Sequence, residues 1–392
     1  MIEIENNIIC KYFGICGGCS YQDITYEEQL KMKQTKLFEL FKDFEIEDIR
    51  NIIPSDKIFF YRNKVEFVFG KNFYEIIIGF RKKNCYWDIV DIRECLLISE
   101  KANKIVNIIR DWANKNNLSH YDQKTHNGLL RYLVIRETIS GDILVNIIIN
   151  ATKYQFEYEL KNKFYCLKNI FIDFSCNVNI LVSLYTLKGD AAKSEQTFII
   201  FGKDYIEEKL DKFLFRISKN TFFQTNKFTT IKLYTAIKNL IKKNGSNCLD
   251  VYSGSGTIGI FVNDLFEKII CIESNPEAVS DAIKNIEINN TKNCEFIQER
   301  AEIILKKLSR SKFSIELSTV ILDPPRAGVA KNAIEGIINL NPQQIIYVSC
   351  NPETLKKDLE KLIKCYKIRI LEPVDMFPHT PHIEIVCELF HR

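Results

Sequence analysis

Asp250-Val251-Tyr252-Ser253-Gly254-Ser255-Gly256-Thr257-Ile258-Gly259 is the stretch on which the reading of the second half of the chain turns. Gly254, Gly256 and Gly259 satisfy G-x-G-x-x-G, a strand-to-helix turn whose bare backbone lets a nucleotide-like ligand come close. Alone, the pattern also fits a tight turn with no ligand. Its surroundings give it weight. A short apolar strand, Asn247 to Tyr252, leads into it, preceded by a helical pattern from about Phe228 to Lys243. Downstream, strand and helix patterns alternate: Ile269 to Glu273 then Pro276 to Asn289, Thr319 to Asp323 then Lys331 to Ile338, Gln344 to Ser349 then Glu353 to Ile363. Ile368 to Asp375 and His382 to Leu389 read as two closing strands. That alternation predicts a doubly wound, Rossmann-like sheet of class α/β, with ligands at the carboxyl ends of its strands.

Upstream the pattern changes. Thr25 to Phe44 has helical spacing of apolar residues, and Ser99 to Asn114 is a second helical segment. Val65 to Phe69, Glu75 to Phe80, Tyr132 to Arg136 and Ile143 to Ile149 are rich in β-branched and aromatic residues, and residues 52–215 read mainly as strands. The expected architecture is a β-rich α+β domain over 1–215 followed by the α/β domain over 216–392. With 392 residues, 46% hydrophobic and 27% charged, the chain has material for two cores. The net charge of +4 excludes a protein that coats nucleic acid but allows a local basic groove. The start, Met1 to Cys10, has no secretory pattern, and no apolar run is long enough for a membrane span. A cytoplasmic monomer without membrane association is expected, and its thirteen cysteines are then thiols for packing, metal or chemistry.

Five carboxyl and thiol groups fall at expected strand ends. Asp250 lies before the glycine turn, where a carboxylate opposes a pyrophosphate but suits the cationic S-adenosylmethionine. Glu273 ends the next strand and can accept two ribose hydroxyls. Asp323-Pro324-Pro325-Arg326 is a stiff turn that aims a carboxylate at the cleft. Ser349-Cys350-Asn351-Pro352 puts a thiol at a strand end, beside the positive start of a helix that favours thiolate. Glu384 opens the last strand. Inert packing, for Cys350, and solvated strand-end acids are the plain alternatives. Taken together the groups support one reaction. A thiolate adds to C6 of uracil, C5 takes the methyl group of S-adenosylmethionine, and a carboxylate removes the C5 proton so that the thiol is expelled.

At this point the motifs resemble the RNA uracil-C5 methyltransferases of tRNA and 23S rRNA, over nearly the whole chain. The resemblance is carried by Phe223-Gln224-Thr225-Asn226, by Asp250 to Gly256, by Asp323 to Arg326, by Ser349 to Pro352, and by Phe377-Pro378-His379-Thr380-Pro381-His382-Ile383-Glu384. It implies Cys350 as nucleophile and Glu384 as proton-abstracting base. Gln224, Tyr252, Glu273 and Asp323 are implied at the cofactor or at its junction with the target base. Arg300 departs from the small polar or acidic residue expected near the adenine, and no role is assigned to it.

Cys10-x5-Cys16-Gly17-Gly18-Cys19 resembles the iron–sulfur loop of one branch of this family. That implies a structural [4Fe-4S] cluster on Cys10, Cys16, Cys19 and a fourth thiol at Cys95, with Cys85 its rival; a tetrathiolate zinc site is the inorganic alternative. Only nine residues precede Cys10, so the small RNA-binding β-barrel that leads some members is expected to be missing. RNA contact then falls to Tyr61-Arg62-Asn63-Lys64, Arg81-Lys82-Lys83, Arg131-Tyr132 and Arg136, where cations stand beside aromatics. The substrate expected is 23S rRNA ahead of tRNA. A Rossmann-type iron–sulfur oxidoreductase and a non-catalytic RNA-binding protein are the rivals from other classes. Asp250 and Ser349 to Pro352 oppose the first; intact Cys350 and Glu384 oppose the second.

Overall fold

The computed structural model describes residues 9–172, 174, 177–190, 192, 194–242, 247–310 and 317–392. The helix Tyr26–Phe41 is started by a capping box in which Thr25 and Glu28 satisfy each other's backbone N–H groups. Strand β1 (Ile46–Ile49) follows. The next strands, β2 (Lys64–Asn72), β3 (Glu75–Lys82), β4 (Cys85–Asp91), β5 (Leu130–Glu137), β6 (Ile143–Ile149), β7 (Val178–Leu184) and β8 (Gln196–Phe201), form a seven-stranded sheet in the order β4-β3-β2-β5-β6-β7-β8. It is antiparallel except for β6 and β7. The connection between that parallel pair contains short helical pieces between Lys153 and Phe171. This helix inside a region read as mainly strands follows from topology, because parallel neighbours need a crossover. The hairpin β9 (Tyr205–Leu210) and β10 (Phe213–Ser218) leads to the helix Thr230–Leu240. The helical expectation ran on to Lys243, which lies outside the described residues.

β11 (Asn247–Val251), β12 (Lys268–Glu273), β13 (Cys294–Gln298), β14 (Leu317–Leu322), β15 (Gln344–Ser349), β16 (Tyr366–Val374) and β17 (Glu384–His391) build the second sheet with β1, in the order β1-β16-β17-β15-β14-β11-β12-β13. β17 is antiparallel to both its neighbours; the other pairings are parallel. The chain runs outward from β11 to β13 on one side, then returns to β14 and β15 on the other. The strand order therefore reverses between β11 and β14, and the ligand cleft of such a sheet opens there.

Both faces of this sheet are covered. Ile321, Ile346, Val348 and Val386 pack on one side with Leu233, Ile237 and Phe261, while Val320, Leu322, Ile345, Tyr347 and Ile385 pack on the other with Ala333, Leu355 and Leu359. Leu37 and Phe41 of the first helix join the second group, so residues 26–49 pack with the C-terminal sheet although they precede the β-rich region. Among the described residues no helix is long and apolar enough to cross a membrane.

Candidate active site

The reversal brings the motifs to one edge. The glycine turn follows β11, Asp323 follows β14 and Cys350 follows β15. β17 runs the opposite way, so its first residue, Glu384, lies at the same edge. Ser349 is paired with Ile385, and the next step of that register sets Cys350 alongside Glu384. Asn351 caps the helix Pro352–Leu362 and also donates to the Arg326 carbonyl at 3.1 Å. One side chain thus clamps the nucleophile turn to the proline turn.

The electrostatics correct one expectation. The nearby helix start was expected to favour thiolate at Cys350. Burial, then Glu384 and Asp323, raise the thiol to about 11 against the opposing pull of Arg326. Glu384, 2% exposed, is held well above the usual carboxylate range by burial and then by Asp323. Burial lifts Asp323 to about 7. Burial and the proximity of these acids therefore favour their protonated forms, and a cationic methyl donor would favour proton release.

The glycine turn is a cradle. Gly254 and Gly256 have φ of +55° and +77°, and a side chain at Gly254 would meet nothing within 4 Å, so its backbone faces open space. A β-carbon at Gly256 would instead strike Phe296 at 2.6 Å. Glu273 stands beneath the turn, accepting from Gly254 N at 3.0 Å and from Ser274 N and Asn275 N at 2.7 Å. Oε1 is filled by the Ser274 and Asn275 N–H groups, whereas Oε2 accepts only from Gly254 N and keeps a lone pair for a ribose hydroxyl. These residues fit the nucleoside half of S-adenosylmethionine.

Asp250 is held to the fold through one oxygen only, and its Oδ1 has no hydrogen-bond partner among the described residues. It is wholly buried behind the turn, accepts from Gly259 N at 3.0 Å, and is raised by burial to about 8. Its role is to hold the turn, and the charge argument built on it is corrected. Tyr252 takes the left-handed region at φ +64° and packs among the partly buried residues of the core. Gln224 is buried, with its carbonyl held by Asn63 Nδ2 at 2.8 Å.

The RNA-contact expectation fails at most positions. Arg131, 1% exposed, donates to the carbonyls of Tyr185, Leu187 and Gly189. Buried Arg136 donates to those of Lys219 and Thr221, and Tyr61 and Tyr132 are buried. Guanidinium groups in these positions satisfy backbone carbonyls and cannot reach a phosphate. Arg81 is tied to Asp190, while Lys82 and Lys83 remain exposed at the β3–β4 turn.

Cys10, Cys16, Cys19 and Cys95 all line one cavity of about 230 Å³, together with Arg62; Cys85 is not among its lining residues. Cys16 Sγ accepts from Gly18 N, and Cys19 Sγ from Gln22 Nε2, each at 3.3 Å. Among the described residues no three His, Cys, Asp or Glu side chains gather closely enough to hold a single metal ion. In a four-iron cluster each thiolate takes a different iron, so its sulfurs stand farther apart than the ligands of one ion.

Sequence reading missed Gln29 and Lys33. Both are buried and bound to the turn before Glu384. Their signal was present: they fall in helical phase with Leu37 and Phe41 on the buried face of Tyr26–Phe41.

A doubly wound sheet whose ligand edge carries a glycine cradle, a strand-end glutamate and a thiol–carboxylate pair defines an α/β methyltransferase fold. Residues 25–391 match the family model of the tRNA (Uracil-5-)-methyltransferases, and the chain belongs to that family. It is 36% identical over 98% of its length to an uncharacterized RNA methyltransferase of Caldanaerobacter subterraneus, covering 84% of that protein. It is 35% identical to the tRNA (uracil(54)-C(5))-methyltransferase of Pyrococcus furiosus, with 97% of this chain and 84% of the other covered. The crystal structure of the Pyrococcus abyssi tRNA (uracil-54, C5)-methyltransferase in complex with S-adenosyl-L-homocysteine superposes with a TM-score of 0.76 at 32% identity, over 96% of this chain and 86% of that one. The activity that goes with this membership is S-adenosylmethionine-dependent methylation of uracil C5 in RNA.

Proposed function

We propose that Cys350 and Glu384 carry that methylation by covalent catalysis. The Cys350 sulfur bonds to C6 of the target uracil, and the electron pair of the C5–C6 double bond moves toward O4. C5 then bonds to the methyl carbon as the sulfonium–methyl bond breaks. Glu384 takes the C5 proton, the C6–sulfur bond breaks, and the double bond re-forms with the thiolate released. Asp323 stands at the junction of cofactor and base, Glu273 takes the ribose, and Gln224 and Tyr252 complete the cofactor wall. The observation that carries this reading is the register of β15 against β17, which puts thiol and carboxylate side by side. Cys350→Ala tests it: methylation of RNA is expected to vanish, and methylation at the native rate would overturn it.

The named relatives act on tRNA uridine 54, which favours a tRNA uridine as the target. The 23S rRNA expectation stands as the second reading, supported by the resemblance of the cysteine loop to the rRNA branch. Mapping 5-methyluridine in tRNA and rRNA from a strain lacking the gene decides between them. Cys10, Cys16, Cys19 and Cys95 would hold a [4Fe-4S] cluster, which supplies a cross-link for the loop and no electron to the reaction. RNA is gripped in this reading at the β3–β4 turn, where exposed Lys82 and Lys83 stand near exposed Tyr86 and Trp87, and Lys124 lies 5.0 Å from the Trp87 ring. The protein works as a cytoplasmic monomer, the cysteine loop and the sheet of β2 to β8 serving cluster and RNA, and the C-terminal sheet, with the helix Tyr26–Phe41 and β1 joined to it, the methyl transfer.

A further inference from the structure

The turn from Asp375 to His382 joins β16 to Glu384, and nearly every polar group of its first half is held by residues distant in sequence. Lys33 Nζ donates to Asp375 Oδ1 at 2.6 Å and to the Phe377 carbonyl at 3.1 Å. Asn226 Nδ2 donates to the Met376 carbonyl at 3.1 Å, and Tyr61 Oη to the Pro378 carbonyl at 3.0 Å. Ser20 N and Tyr21 N, directly after Cys19, donate to the His379 carbonyl at 2.8 and 3.2 Å.

Gln29 is the centre of this set. It is 0% exposed and uses both ends of its amide on one residue. Oε1 accepts from His379 N at 2.8 Å, and Nε2 lies 3.2 Å from His379 Nδ1. The backbone N–H can only donate, which fixes the amide orientation and turns Nε2, whose two protons are shared among the Ile24 carbonyl at 3.3 Å, the Tyr21 carbonyl and Nδ1, toward the ring. Nε2 also donates to the Tyr21 carbonyl at 2.8 Å. His379 has a φ of +65°, a left-handed conformation that side-chain-bearing residues rarely adopt, and its ring stacks on Phe59 at 4.6 Å. A strained residue five positions before Glu384 is thus kept in place by one buried amide.

We propose that Gln29 is a positioning residue for proton abstraction: by fixing His379 in its left-handed turn it places Glu384 beside the C5 proton. This rests on the reading of Glu384 as the base. It separates two stages of the reaction. Cys350 hangs from β15 and the helix it precedes, so addition and methyl transfer do not depend on Gln29. Removal of the C5 proton does.

The test uses the full protein with S-adenosylmethionine and unmodified tRNA transcripts, with a 23S rRNA transcript in parallel. Wild-type protein is first assayed for a covalent adduct with 5-fluorouridine RNA; its absence would remove the reading of the site and not this inference alone. Gln29→Leu is then expected to lower kcat by about tenfold or more with KM for RNA unchanged, while a methylated protein–RNA adduct accumulates on natural uridine RNA. Native turnover, or a fall without adduct accumulation, overturns the proposal. Gln29→Glu gives an independent readout should the leucine variant not fold. Its ionised carboxylate still accepts from His379 N but can no longer donate to Nδ1 or to the Tyr21 carbonyl. The same methylated adduct is expected to accumulate with this variant on natural uridine RNA; native turnover, or a fall without the adduct, overturns the proposal.

Discussion

At Cys350 burial and two neighbouring acids win over Arg326, so the proposed nucleophile is a thiol raised to about 11. Alkylation of Cys350 by iodoacetamide should therefore be slow at pH 7 and rise with pH throughout the range 7–9, since only the thiolate reacts. A plateau near pH 8 would show that the thiol titrates in its ordinary range. Glu384→Gln should form adduct and stall before release, with turnover down by about 10²–10⁴; unimpaired turnover would remove Glu384 from the mechanism. The sequence made the identities of these residues legible because each sits at a strand end beside a turn. It did not make their charge states legible. Those depend on which strand ends become neighbours, and β17 is placed beside β15 only by the closing antiparallel hairpin.

Elements were readable where local chemistry marks both ends. Pro276–Asn289 opens with an Asn275 cap and Pro276 and closes on left-handed Asn290, and its expected bounds match those observed. Gln344–Ser349 and Ile143–Ile149 are equally clear as β-branched runs. β13 and the helix Ala301–Arg310 were not read, and neither was β4, whose Tyr86 and Trp87 face outward on an edge strand. The buried pair of Lys33 and Asp375 was invisible for another reason: it joins positions 342 apart. Lys33→Met should leave the Asp375 carboxylate without its partner and destabilise the protein by about 3–5 kcal/mol, seen as a lower unfolding midpoint in urea. An unchanged midpoint would mean that the pair contributes nothing to holding the turn. At the glycine turn the two φ-positive glycines should differ. Gly256→Ala, driven into Phe296, should destabilise the fold, whereas Gly254→Ala should show its larger effect on cofactor affinity. Calorimetric unfolding and binding titration on both variants separate the two, and equal effects would contradict the cradle.

Over the whole molecule, several acids are buried with raised pKa: burial lifts Asp250 to about 8, Asp323 to about 7 and Glu208 to about 7, and Glu384 well upward. A carboxyl raised above its unfolded value stabilises the fold at low pH and loses that contribution as pH rises through the folded value. Buried His379, lowered by burial to about 4, acts the opposite way and only below its unfolded value of about 6.5. Between pH 6.5 and 8 the acids alone are in play, so Tm of the ligand-free protein should fall as pH rises across that window; a rising Tm would contradict the buried, proton-holding site. The overall charge of +4 is consistent with these findings. Two of the four arginines first read as RNA contacts, Arg131 and Arg136, are buried on backbone carbonyls. The surface cations that remain, Lys82 and Lys83, should when both are changed to Ala reduce the salt dependence of RNA binding by a slope of about 1–2 and leave kcat unaltered. An unchanged slope would move the RNA path elsewhere.

The central claim is a covalent bond between Cys350 and the target base. Incubating the protein with S-adenosylmethionine and RNA carrying 5-fluorouridine removes the proton that Glu384 must take, so the reaction should stop as a stable protein–RNA adduct. Mass spectrometry should place the nucleotide on the peptide containing Cys350. Methylation of ordinary RNA without such an adduct, or an adduct on another residue, would contradict the account.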